Sequence, residues 1–125
     1  MAYSVSKEVF RDIIREALAD VPEVFADALA SVRIDVRGRP SPKMLRDADV
    51  SPGESLLGLY QGRPATHRSV EDSGVLPDVI LLFQHELEEA CDTESELIKE
   101  VRKTVFHELG HHFGLDEGNL DQLGF

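Results

Sequence analysis

Two histidines four residues apart, His107 and His111, with Glu108 beside the first, are the residues of this chain best suited to do chemistry. They stand in the run HELGHHFGLDE, residues 107–117. On a helix, positions i and i+4 share a face, so two imidazoles at this spacing can grip one divalent metal ion. Zinc suits such a donor set, and Glu108 is placed to act as general base on water held there. Gly114 can end the helix in a left-handed turn. Asp116 and Glu117 follow it, and the returning chain can offer either as a third ligand.

The flanking residues agree with a helix that packs on one side and presents its histidines on the other. Counted from Leu97 at about 100° per residue, Leu97, Ile98, Val101, Val105, Leu109 and Phe113 span an arc of about 160°. His107 and His111 fall outside that arc, at about 280° and about 320°, and Glu108 sits at its edge near about 20°. His112 falls inside it, at about 60°, and reads as a packed histidine. Thr93 with Glu96 makes a capping box that starts the helix.

With these residues in place, the chain resembles the short zincin-like metallopeptidases of bacteria, which carry H-E-x-x-H-x-x-G-x-x-D near the end of a domain of about this size. The resemblance extends to LPDVILLF and HELEEAC upstream of the motif. It implies His107 and His111 as zinc ligands, Glu108 as general base, and one zinc ion per chain. The third-ligand position falls on Glu117, where the pattern usually has Asp or, in metzincins, His. Glutamate reaches further by one methylene, so Asp116 stays open as the alternative. Metzincins also place a Met-containing turn beneath the metal. Methionine occurs here only at positions 1 and 44, so the resemblance implies a reduced site without that turn. The implied reaction is hydrolysis of a peptide or protein substrate.

Composition bounds the other readings. With 125 residues, 42% of them hydrophobic and 30% charged, one folded domain over residues 1–125 is expected. No apolar run suits a bilayer, and the first residues lack the basic-then-apolar layout of a secretory signal. A single cysteine, Cys91, cannot form an internal disulfide, which fits the cytoplasm. Cys91 has no cationic sequence neighbour and reads as a small buried residue. A net charge of −11 disfavours nucleic acid as a partner. That charge and Glu108 both weigh against a second resemblance, to the metal-dependent endoribonucleases with H-x-x-x-H-x-x-G-x-x-H. The remaining rival is a non-catalytic interaction module in which a closed metal shell ties the tail to the helix.

The rest of the chain must position the motif. Ser6 caps a first helix carrying Val9, Ile13, Ile14, Ala17 and Leu18. Pro22 opens a second over residues 23–30. Val32, Ile34 and Val36 alternate with charged residues as a half-buried strand. Residues 40–54 read as a loop with a short turn at Met44 and Leu45, residues 56–60 and 79–83 as strands, and residues 118–123 as a last short helix. Helices beside a small mixed sheet make an α+β fold. By analogy with the family, residues 77–84 are the edge along which a substrate would lie, whereas the unbroken apolar run suits a central strand. His85 and Tyr60 are the two side chains considered for steadying an oxyanion. A surface place is the usual one for a strand-end histidine like His85, and a core place for Tyr60.

Overall fold

Ser6 starts the first helix, α1 (Lys7–Ala17), by accepting a hydrogen bond from the Val9 amide at 3.2 Å. The computed structural model describes residues 3–51, 53–62 and 78–112. Phe10, Ile13, Ile14 and Ala17 turn inward, while Val9 stays exposed. The stripe keeps Ile13, Ile14 and Ala17 as expected, with Phe10 in place of Val9. Next comes α2 (Glu23–Ala30), with the limits expected from Pro22, although Phe25 alone is fully buried on it. β1 (Val32–Arg37) follows and is half-buried as its alternation requires.

A third helix, α3 (Pro42–Asp47), replaces the expected turn at Met44 and Leu45. Ser41 caps it through the Met44 amide at 3.1 Å, and Pro42 occupies the first turn, where its missing N–H costs nothing. β2 (Gly58–Gln61) and β3 (Asp78–Phe83) complete a three-stranded sheet in the order β1-β3-β2. β1 lies parallel to β3, and β2 antiparallel to it. β3 is therefore the central strand, paired on both sides, and not the edge that the family analogy assigned to residues 77–84. Its unbroken apolar run has the simpler cause: Ile80, Leu81, Leu82 and Phe83 are all buried.

β3 runs without a break into α4 (Gln84–Glu89), a helix the sequence did not signal. No side chain caps it. Tertiary bonds hold it instead: the His85 amide donates to the Gly38 carbonyl at 3.0 Å, and Glu88, 3% exposed, accepts from the Val5 amide at 2.8 Å and from Gln84 at 3.1 Å. Arg39 bridges its outer carboxylates, Glu86 and Glu89. Cys91 is buried just beyond, and burial pushes its thiol up to about 11. It is inert packing, as expected from its neighbours.

The last described helix, α5 (Glu94–His112), is the scaffold of the motif. Thr93 accepts from the Glu96 amide at 3.1 Å, and Glu96 reaches back to the Asp92 amide at 2.6 Å. This is the expected capping box with its return bond moved one residue earlier. Leu97, Val101, Val105, Phe106 and Leu109 are fully buried against α1, α2 and the sheet. Phe106 meets Phe25 at 4.9 Å between ring centroids, and Arg102 lies over Phe106 while donating to the Ala17 carbonyl at 2.9 Å. The helix is thus gripped along its length on the side away from its histidines. The architecture is α+β, and no described helix is long and apolar enough to cross a membrane.

Candidate functional site

The motif side chains emerge where α5 runs alongside β2. A Cβ built on Gly58 would lie 2.6 Å from the Thr104 methyl, the Tyr60 amide reaches Glu108, and a Cβ on Gly62 would lie 3.5 Å from the His112 ring. Two strand residues therefore match four helix residues at each step. The reason is metric: two residues advance a strand by about 6.6 Å, and four advance a helix by about 6 Å. Helix and edge strand stay in register across the whole site.

Gly58 is what allows this approach. Besides Thr104, an added Cβ would meet the Leu81 carbonyl oxygen at 3.1 Å. We expect Gly58→Ala to push β2 off α5 and to destabilise the protein by about 1–3 kcal/mol, the cost of overpacking a closed contact. Urea denaturation checks it, and an unchanged midpoint would mean that the two elements are not locked together here. The glycine inside the apolar run LLGLY was the signal in the sequence for a close backbone contact.

His107 and His111 project from one side of α5 with ring centroids 4.4 Å apart. His107 is half-buried and His111 exposed, so both rings lie off the packed face. Glu108 stands between this side and the edge strand. The pairing of Phe83 with Leu57 through a 3.0 Å bond fixes the parity of the β2–β3 ladder, so the Gly58 and Tyr60 backbone groups face away from β3. The outward Tyr60 amide donates to Glu108 Oε2 at 3.3 Å. Burial pushes the Glu108 carboxyl above the usual glutamate range, while the Tyr60 amide, His107 and His111 pull it part of the way back.

A cavity of about 260 Å³ opens beside these groups. Leu56, Leu57 and Gly58 form one wall, and Thr104, His107 and Glu108 form the other. Its lining was not foreseen, because it joins segments more than forty residues apart in sequence.

One expectation is corrected here. His112 is not packed in the core. Its side chain is 42% exposed and stacks on the Tyr60 ring, with centroids 3.8 Å apart and planes 15° from parallel. The helical wheel put it on the apolar side, but one turn beyond Leu109 that side has passed the core and faces the rim of the sheet. Tyr60 is half-buried, and its hydroxyl donates to Asp78 at 2.8 Å. His85 takes the surface place: it is 55% exposed at the start of α4, beside Glu88. It lies beyond Phe83, which is itself about 10 Å along β3 from Ile80, the residue opposite Tyr60. Asp116, Glu117, Gly114, Phe113 and the expected helix over residues 118–123 lie outside the described residues. Among the described residues, no three His, Cys, Asp or Glu side chains are grouped to hold a metal ion.

Comparison with known proteins adds two findings. Residues 29–125 match a family described as zincin-like metallopeptidase. A solved structure, a conserved hypothetical protein from Thermo thermophilus, is 27% identical and superposes with a TM-score of 0.57, covering 86% of this chain and 94% of that one. No curated protein matches.

Proposed function

The chain belongs to the zincin-like metallopeptidase family, and from that premise we propose that it is a zinc-dependent peptidase with His107 and His111 as metal ligands and Glu108 as general base. The observation that carries this reading is the placement of the two imidazoles, with ring centroids 4.4 Å apart, beside a carboxylate that accepts from the Tyr60 amide at 3.3 Å. These donors fit zinc, which favours nitrogen ligands and leaves a position open when it has three protein ligands. The third belongs to the segment beyond His112. We assign it to Glu117, with Asp116 as the alternative.

When bound, zinc supplies Lewis acidity, which acidifies water and polarises a carbonyl. Glu108 takes a proton from the attacking water and delivers it to the leaving amine nitrogen. The Tyr60 amide holds one carboxylate oxygen and so fixes the direction in which the carboxylate presents the other. β2, not β3, is the strand along which an extended peptide would lie, because it is paired on one side only and its Gly58 backbone groups face outward. The cavity between Leu56 and Thr104 would then receive a side chain next to the bond being cut.

A fluorogenic peptide library tests the reading. Cleavage should disappear on treatment with a chelator and return when zinc is restored. Protein that is fully loaded with zinc yet cleaves nothing in the library would contradict it.

A further inference from the structure

We propose that Tyr60, Asp78 and His112 form a clamp that fixes the last turn of α5 against the sheet before any metal binds, making them positioning residues for His111 and Glu108. Its catalytic consequence rests on the peptidase reading above, but its structural content does not.

His111 sits in that last turn and is exposed. Tyr60 reaches this turn in two ways. Its amide bonds Glu108 at 3.3 Å, and its ring lies flat on His112 at 3.8 Å. Through its hydroxyl it is tied in turn to Asp78 at 2.8 Å.

Asp78 is well placed as the fixed end of this chain of contacts. It opens the central strand, where Val32 of β1 pairs with it. Tyr60 faces Ile80 across the ladder, so Asp78 is its diagonal neighbour on the same face of the sheet, within reach of a long side chain. The same carboxylate oxygen lies 4.0 Å from His112 Nε2. Gly62 closes the group. A Cβ there would be 3.4 Å from the Tyr60 ring, 3.5 Å from His112 and 3.6 Å from Asp78, so the three pack around that backbone. Because His112 is bonded directly to His111, holding its ring holds the backbone of a proposed ligand. Groups that orient ligands in this way typically command about 10–100-fold in metal affinity.

The test uses the 125-residue chain and four variants. Tyr60→Leu and His112→Ala remove the stack, whereas Tyr60→Phe and His112→Phe keep it. In metal-free protein, amide hydrogen exchange over residues 108–112 should quicken about 10-fold or more in the first two variants, with exchange in the rest of α5 unchanged. The phenylalanine variant at position 112 should restore protection. Chelator competition should then show zinc held about 10–100-fold more weakly by Tyr60→Leu and His112→Ala at an unchanged melting temperature. His112 is largely exposed, so its variants keep the proposal testable even if changes at Tyr60 impair folding. Unchanged exchange over residues 108–112 in His112→Ala would overturn the clamp. The exchange effect in the variants, together with wild type that takes up no zinc, would overturn the peptidase reading and leave the clamp standing.

Discussion

Glu108→Gln is expected to lower peptide hydrolysis by about 10²–10⁴-fold, the usual contribution of a positioned general base, while zinc stays bound. Glutamine keeps the shape of the side chain and an oxygen that can still accept the Tyr60 amide, but it cannot take a proton from water. The imidazoles of His107 and His111 are untouched. The variant also has a signature that needs no substrate. In the metal-free protein burial raises the Glu108 carboxyl, so the folded chain holds that proton more tightly than the unfolded chain. The associated stability is fully present below the unfolded value and is lost as pH rises through the folded one. At neutral pH the wild type thus carries a half-buried charge that the glutamine variant lacks. Metal-free Glu108→Gln should melt higher than wild type at pH 7, and the gap should close as pH falls below the glutamate range. Thermal melts across that range check the sign. A variant that cleaves as fast as wild type would remove Glu108 from the role of base.

His111→Ala should abolish zinc binding with little effect on folding. The side chain is exposed, and surface truncations away from special features usually change stability by about 0.5 kcal/mol or less. Loss of a ligand should exceed the about 10–100-fold that orienting partners command, so zinc should be undetectable after dialysis. His107→Ala is the less clean experiment, because that ring is half-buried and lines the cavity. Zinc retained by His111→Ala at the affinity of wild type would exclude it as a ligand.

The features most legible in the sequence were those written in local chemistry. Ser6 and Thr93 announced two helix starts, Pro22 a third, and the alternation at Val32, Ile34 and Val36 gave a strand with the limits found. The period of α5 separated its packed face from the side bearing His107 and His111. What was missed depends on distant partners. α4 has no capping side chain and one fully buried apolar residue, Leu87, and it is held by Val5 and Gly38 from elsewhere in the chain. α3 did carry a local signal, Ser41 before Pro42, but the Pro, Ser, Asp and Gly around it read as loop.

The site divides in the same way. Spacing within one helix placed His107, Glu108 and His111 together. It could not place Tyr60, whose contacts to Glu108, Asp78 and His112 depend on which strand is the edge. Apolar continuity in residues 79–83 pointed to the centre of the sheet, and that burial argument outweighs the family analogy. The wheel misplaced His112 because it assumes that the core extends as far as the helix does.

The most direct measurement is the zinc content of untagged protein purified without chelators, read by mass spectrometry on wild type and His111→Ala. About one zinc per chain is expected in wild type and none in the variant. Wild type that stays metal-free after zinc is added back, or equal zinc in both proteins, would show that His107 and His111 do not form a zinc site.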